Sequence, residues 1–203
     1  APYARGGLHF SNGKTWVEQL AAAVDAERSA RPALLKPVVF SNYAVGGTRA
    51  RAVGAFDLAT QVSLFQRDFG GQAPADALYV LYMGGNDLRD ALAALALDPG
   101  GTTSFGILQA ALFAIRDNLL VLHAAGARAF LVPNAPNLAL VPAVRLQGPS
   151  AQAAAQFLSA TFNTQLATLL DGLESALGLR IARLDVYGIL NEVVAAPAAG
   201  RSS

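Results

Sequence analysis

The residues best suited to chemistry in this sequence follow two short apolar runs that each lead into a pair of glycines. The run at 77–82 leads into Met-Gly-Gly-Asn-Asp-Leu at 83–88, and the run at 38–40 leads into Asn-Tyr-Ala-Val-Gly-Gly at 42–47. Open α/β sheets bind ligands at the carboxyl ends of their strands. Backbone N–H groups and an amide side chain can stabilise a developing oxyanion there. We therefore expect the N–H groups near Gly47 and the Asn86 amide to converge on an oxyanion pocket.

Each of these features also has a purely structural interpretation. Glycine pairs such as Gly46–Gly47 and Gly84–Gly85 are common in tight turns, because glycine adopts positive φ without steric cost. Asn86 is a suitable helix cap, and Asp87 is a suitable acid for the first turn of a helix. Phosphate binding is not indicated, because the sequence contains neither G-x-x-x-x-G-K-[ST] nor a strand-linked G-x-G-x-x-G.

A nucleophile is harder to find than an oxyanion donor. The sequence contains no G-x-S-x-G motif and no cysteine, and its two histidines are His9 and His123. His9 and Ser11 are two residues apart on one side of an extended segment, where they could act as base and nucleophile. A triad would also need a third, orienting group. We expect His123 to be a structural helix residue, and we expect no metal site.

Composition restricts the classes of partner. The chain has 203 residues, of which 53% are apolar and 14% charged, so we expect large apolar faces and a self-association surface. The net charge is +1 without a cluster of basic residues, which argues against a nucleic-acid partner. No apolar stretch approaches the roughly 18–20 residues that cross a bilayer, so we expect no transmembrane segment.

The order of elements predicts a parallel sheet. Short apolar runs at 38–40, 77–83, 127–132 and 180–184 alternate with helical patterns, which is typical of strands covered on both faces. Segment 137–149 is expected to be a loop with a little helix. The helices are predicted at 14–29, 55–69, 86–97, 104–125, 151–177 and 186–194. We therefore predict a single domain, 1–203, with a three-layer α/β/α, flavodoxin-like fold.

Several segments match a known family in order along almost the whole chain. The three early ones are specific together, and the later ones follow in the family's order. The segments are 10–20 (Phe-Ser-Asn-Gly-Lys-Thr-Trp-Val-Glu-Gln-Leu), 42–49 (Asn-Tyr-Ala-Val-Gly-Gly-Thr-Arg), 83–88, 126–136, 162–163 and 185–190. The sequence resembles the SGNH, or GDSL-type, esterases and lipases, in the branch that includes secreted bacterial lipases and autotransporter esterases.

The resemblance implies a carboxylic ester hydrolase that transfers an acyl group from a small-molecule or lipid ester to serine and then to water, without a cofactor. In the family, the serine lies in a Gly-Asp-Ser-Leu block after the first strand, and the base and its partner come from a C-terminal Asp-x-x-His block. The oxyanion hole consists of the serine N–H, a glycine N–H and an asparagine side chain. The last two carry over to Gly47 and Asn86. A secreted or cell-envelope location is also implied.

Both end blocks are missing from this sequence, so we expect the domain to be truncated at both ends and to lack its first, central strand. That strand would lie between the runs at 38–42 and 77–83. We expect the gap to be closed by direct pairing of these runs, or filled by a complementing segment or a second copy in a homo-oligomer. Two alternatives stay open: an improvised Ser11/His9 esterase, and a non-catalytic or weakly active self-associating scaffold.

Overall fold

A parallel sheet forms the centre of the fold in the computed structural model, which describes Ser11 and residues 13–196. Strands β1 (Leu78–Val80), β2 (Ala129–Pro133) and β3 (Arg180–Leu184) lie in that order, with β2 in the middle. Leu78 pairs with Ala129, which pairs in turn with Arg180. Helices occupy both crossover connections, as parallel pairing requires. The predicted α/β class is confirmed, with three strands in the sheet instead of four.

Seven α-helices accompany these strands in the described part of the chain. The first begins with the capping box expected from its sequence, since the Glu18 carboxylate accepts hydrogen bonds from the Thr15 N–H at 2.7 Å and the Thr15 hydroxyl at 2.9 Å. The helices are α1 (Trp16–Ala23), α2 (Leu58–Asp68), α3 (Gly85–Ala94), α4 (Thr102–Ala125), α5 (Pro142–Arg145), α6 (Pro149–Leu177) and α7 (Val186–Ala195). The expected loop at 137–149 contains α5 and a short 3-10 helix, Leu138–Leu140.

The core lies between the sheet and the two longest helices. Phe130 of β2, Leu119 of α4 and Phe162 of α6 are fully buried. Buried residues recur at helical spacing along α4 and α6, so each of these helices turns one apolar face inward. Burial of these large side chains supplies the main driving force for folding.

Helix α4 corrects the expectation that no apolar stretch approaches the length of a bilayer span. It has 24 residues with a mean hydropathy of 1.5 over its apolar part, so by length and composition it could cross a membrane. The helix nevertheless packs against α2, α3 and α6, and it buries Leu108, Ile115 and Leu119. We interpret α4 as a core helix of the α/β fold, because its buried residues form one face that packs against the neighbouring helices, with 39% of its apolar window buried.

The run at 38–42 was expected to be a strand of the sheet, and this prediction is wrong. Val38 adopts φ +69°, a left-handed conformation that breaks an extended segment and that β-branched residues rarely adopt. Asn42 instead forms an isolated bridge with Pro32, and Val38 and Val39 are exposed. The apolar run therefore turns beside residues 31–33 and does not pair with β1.

One edge of β1 is left without a partner strand among the described residues. Leu78, Val80 and Tyr82 alternate along this segment and are all exposed, with Tyr82 touching Trp16 edge to face at 6.2 Å between ring centroids. Direct pairing of the two runs across the gap, one of the two expected outcomes, is therefore wrong. An unpaired edge with apolar side chains is a template for pairing with another extended segment.

Candidate functional site

Two glycine turns lie next to one another beyond the free end of β1. Gly47 has φ +83° and is exposed, and Gly84 has φ +111° and is the N-cap of α3. The two turns differ in their surroundings. A Cβ on Gly47 would meet nothing within 4 Å, whereas a Cβ on Gly84 would lie 2.6 Å from Cζ of Phe162. Glycine at 84 is therefore required both by backbone conformation and by close packing on α6.

Asn86 connects the second turn to the first. Its Nδ2 donates a hydrogen bond of 2.8 Å to the carbonyl oxygen of Thr48, the residue that follows Gly47. Asn86 lies inside the first turn of α3, after the Gly84 N-cap, so the alternative that it caps this helix is wrong. An amide NH₂ group has two hydrogens to donate. One of them is donated to the Thr48 carbonyl.

Arg49 holds the first turn against α3. Its guanidinium donates hydrogen bonds through Nε and an Nη to the two carboxylate oxygens of Asp90, both at 3.0 Å. The other Nη donates to the carbonyl oxygen of Gly47, also at 3.0 Å. The hydrogen-bonded Arg49 holds the pKa of the Asp90 carboxyl below its ordinary value. A bidentate pair of this kind fixes orientation as well as distance, so Arg49 sets the position of Gly47 relative to α3.

Asp87 forms a buried connection beside this pair. Its carboxylate is inaccessible to solvent and accepts a hydrogen bond of 2.8 Å from the Ala50 N–H. The Nε of Arg51 lies 3.0 Å from the same carboxylate, and Arg51 also forms an ion pair with Asp90. Burial raises the pKa of the Asp87 carboxyl, against the opposing effect of these N–H groups and of the Arg51 charge. Asp87 thus serves as an acceptor for the loop after Gly47, beyond its place in the first turn of α3.

The same loop is held from its other side by Asp57. This carboxylate accepts hydrogen bonds from the backbone N–H groups of Arg49 at 2.9 Å, Val53 at 2.6 Å and Gly54. Burial alone would raise the pKa of Asp57, but these three donors and the nearby Arg49 charge outweigh it and lower the pKa. The segment from Gly47 to Gly54 is therefore organised by three aspartates, and its geometry does not depend on regular secondary structure.

Gly47 and Asn86 both line one cavity of about 600 Å³, so the structure brings the two predicted site residues together. The volume is within the range of small-molecule sites. Beyond the two turns, the walls are formed by α3 and the turn after it, the 3-10 helix Leu138–Leu140 and α5. The apolar side chains of these walls are those of Leu92, Ala93, Ala96, Leu138, Val141, Ala143 and Val144.

The cavity holds donors but no conventional nucleophile. Among the described residues that line it, none is serine, cysteine, histidine, aspartate or glutamate. Thr48 supplies a hydroxyl, but this group donates to the Val45 carbonyl at 2.8 Å and accepts from Gln61 at 3.0 Å. The single hydrogen of the Thr48 hydroxyl is therefore engaged in shaping the turn.

The other nucleophile and base candidates do not reach this cavity in the described structure. Ser11 is half-buried, and its hydroxyl accepts a hydrogen bond from the Gly13 N–H at 3.2 Å. His9 lies outside the described residues, so the His9–Ser11 pair stays a prediction. His123 lies near the end of α4, where its ring contacts Arg128 at 3.2 Å. Its position agrees with the structural role expected from the sequence.

Sequence reasoning missed the residues that support the two turns. Arg49 and Asp90 are separated by 41 positions, and no short motif joins them. A signal was present in the arrangement of charges, since Arg49 and Arg51 follow one glycine turn while Asp87 and Asp90 follow the other. In a chain with so few charged residues, two basic and two acidic side chains next to facing turns indicate a mutual ion pair.

Comparison with known proteins adds one finding. A family model described as GDSL-like Lipase/Acylhydrolase matches residues 3–202, which is nearly the whole chain. No curated protein matches this sequence. The matched region contains both glycine turns and every element that lines the cavity.

Proposed function

We propose that this chain, which belongs to the GDSL-like lipase/acylhydrolase family, is a carboxylic ester hydrolase whose described residues supply the oxyanion-binding half of the site. In this proposal the Gly47 N–H and the Asn86 Nδ2 stabilise the negative charge on the carbonyl oxygen of a small-molecule or lipid ester. The supporting observation is the amide of Asn86, which bonds to Thr48 with one hydrogen and lines the same cavity as Gly47.

The chemistry assigned to these donors is electrostatic. When a nucleophile attacks an ester, the carbonyl oxygen gains negative charge, and fixed neutral donors stabilise that charge without reorganising. Arg49 and Asp90 act as positioning residues in this scheme, because they hold the Gly47 carbonyl and so orient the turn. The mostly apolar walls strengthen such hydrogen bonds by lowering the local dielectric.

We infer that the free edge of β1 binds a complementing segment or a second copy of the chain, and that a complementing segment would bring the nucleophile and base to the cavity. The free edge of β1 supports this inference, since it offers unpaired backbone groups flanked by exposed Leu78 and Val80. A chain that elutes as a monomer in size-exclusion chromatography with light scattering, with no added peptide, would overturn the second-copy version. By the same family resemblance we propose a secreted or cell-envelope location.

Hydrolysis of p-nitrophenyl butyrate tests the assigned donors. Asn86→Ala should reduce kcat by about 10²–10³, the usual cost of an oxyanion donor, with an unchanged circular dichroism spectrum and urea midpoint. Gln109→Ala is the matched control, because this exposed amide on α4 does not line the cavity. Unchanged kcat in Asn86→Ala contradicts the assignment. Wild-type activity in both His9→Ala and Ser11→Ala eliminates the improvised pair.

A second candidate, a non-catalytic self-associating scaffold, is favoured by one observation. The described residues that line the cavity include no serine, cysteine or histidine. An oxyanion hole and binding alone leave a residual rate of about 10³ over water. Hydrolysis at the buffer rate by the full chain, over a concentration range in which it self-associates, would favour the scaffold and refute a hydrolase that is complete without a further segment.

A further inference from the structure

One face of α3 extends the cavity away from Asn86. Asn86, Arg89 and Ala93 all line it, and their spacing of three and four residues places them on a single face of the helix, while Ala96 lines the same cavity from the turn after the last helical residue, Ala94. At 1.5 Å per residue, the distance along the helix axis from Asn86 to Ala93 is about 10 Å. The turn after α3 continues in the same direction, with the Ala96 N–H bonded to the Ala93 carbonyl at 3.3 Å, and brings Ala96 to about 15 Å from Asn86. The cavity therefore runs as a groove along the helix from the proposed oxyanion donor.

The groove becomes apolar beyond Arg89. Leu92 and the two alanines form the wall along α3 and the turn after it, and Leu138, Val141 and Val144 form the facing wall. Arg89 is the one charged residue among the described residues of the lining, and it is exposed, so its charged group is accessible to water. The facing wall ends at the exposed amide of Gln147, which donates to the Ala143 carbonyl at 3.0 Å. A mostly apolar wall without acidic groups or buried polar side chains suits a hydrocarbon chain.

From this geometry we propose that the groove holds the acyl chain of the ester, that it accommodates about eight to twelve carbons, and that Ala93 and Ala96 set the length limit. The inference rests on the proposed hydrolase function for the placement of the carbonyl at Asn86. A carbon chain with bonds of about 1.52 Å and angles of about 111° advances about 1.25 Å per carbon. The groove thus reaches about eight carbons at Ala93 and about twelve at Ala96.

The small size of these two alanines is what keeps the groove open. Ala93 is exposed on α3 and Ala96 is exposed in the turn after it, so a larger side chain at either position can be accommodated by the fold. Such a side chain would block the groove at a chosen distance from Asn86. Substitutions at the two positions should therefore limit the length of the bound acyl chain at two different values. A general change in hydrophobicity would not produce two such limits.

Binding of saturated fatty acids tests the inference without requiring turnover. The affinities of acids with 4, 8, 12 and 16 carbons, each below its critical micelle concentration, are measured by isothermal titration calorimetry on the full chain. For the unmodified chain, affinity should rise by about fourfold per methylene up to twelve carbons and then level off. Ala96→Leu should weaken the twelve-carbon acid at least tenfold and leave the eight-carbon acid unchanged. Ala93→Leu should weaken both.

Ala110→Leu is the matched control, since Ala110 is an exposed helical alanine on α4 that does not line the cavity. The proposal is overturned if affinity does not depend on chain length, or if both groove variants behave like this control. Equal weakening of every acid by the two groove variants also overturns it. Binding that depends on chain length, without ester hydrolysis, refutes the proposed function and leaves the acyl groove standing. Ester hydrolysis without a dependence of binding on chain length refutes the acyl groove and leaves the proposed function standing.

Discussion

Gly84 offers the most direct test of how the second turn is built. In the substitution Gly84→Ala, the new Cβ would lie 2.6 Å from Cζ and 2.8 Å from Cε1 of Phe162. Phe162 is completely buried in the core, so its ring has no free space into which to move. The backbone at Gly84 also has φ +111°, which residues with a Cβ rarely adopt. Two separate penalties therefore act on one methyl group.

The expected loss follows from these two penalties. Forcing an extra carbon into a packed core costs about 1–3 kcal/mol, and a positive φ for a residue with a Cβ costs about 1–2 kcal/mol. Alanine also restricts the unfolded chain, which returns about 0.4–1 kcal/mol to the folded state. We expect Gly84→Ala to lower the free energy of unfolding by about 2–4 kcal/mol.

Urea denaturation followed by circular dichroism measures this loss, and the neighbouring glycine is its control. Gly85 lies in the first turn of α3, and a Cβ there would meet nothing within 4 Å. Gly85→Ala should be neutral or stabilising by up to about 1 kcal/mol, because alanine is the better helix former. The same chemical change one residue apart should therefore have opposite effects. Equal losses in both variants would refute the reasoning.

A double-mutant cycle with Phe162→Leu separates the two penalties. Leucine lacks the ring atoms nearest to the new Cβ, so Gly84→Ala should cost only the backbone part, about 1–2 kcal/mol, in the Phe162→Leu background. If Gly84→Ala costs the same in both backgrounds, contact with the ring contributes nothing and the steric part of the account is wrong.

Two further predictions concern the polar groups around the site. The pKa of Asp57 is lowered in the folded state, so its contribution to stability is complete above the ordinary pKa of an aspartate and is lost as the pH falls through the folded value. Asp57→Asn should lower the free energy of unfolding by about 1–3 kcal/mol at pH 7. In urea denaturation at several pH values, the difference in this free energy between variant and parent should shrink below about pH 4. A difference that does not change with pH contradicts the assignment. Asn163 accepts a hydrogen bond from the Ala135 N–H at 2.9 Å and donates to its carbonyl at 2.8 Å, while Ala135 is fully buried. Asn163→Leu should cost about 2–4 kcal/mol and abolish the hydrogen-exchange protection of the Ala135 amide, and retained protection would show that another group replaces Asn163.

Much of the fold can be predicted from the sequence where one segment carries its own pattern. The strand β3 has the predicted bounds, and α6 begins two residues from the predicted position, after Gly148 and with Pro149 as its first residue. Proline and glycine mark helix ends through local backbone constraints alone, so no tertiary information is required.

The elements that were predicted wrongly depend on contacts between residues distant in sequence. The apolar run at 38–42 resembles a buried strand, but a strand needs a partner, and residues 31–33 compete for its backbone hydrogen bonds. Helix α1 ends at Ala23 instead of 29, where Asp25 adopts a positive φ of 54° that breaks the helix. Neither outcome is encoded in periodicity, because hydrophobic spacing does not specify which segment satisfies a backbone group.

In the candidate site, too, some features could be predicted from local sequence and others depend on contacts between distant segments. Gly47 and Asn86 could be named from their positions after apolar runs, and the structure brings both to one cavity. The Arg49–Asp90 pair and the facing wall of α5 could not, because each joins segments about 40 or more residues apart. Sequence patterns indicate which groups are chemically suitable, whereas the distances between them depend on how the whole chain packs.

The register of the sheet determines the order in which this chain can fold. Leu78 pairs with Ala129 and Ala129 with Arg180, so each strand pairing closes a loop of about fifty residues. The entropy of closing each loop must be lost before its hydrogen bonds form, which makes such pairings slow. The long helices α4 and α6, one in each loop, can form locally much faster. Nascent chains would therefore hold their helices before their sheet, with the strand edges open during that interval to any neighbouring chain.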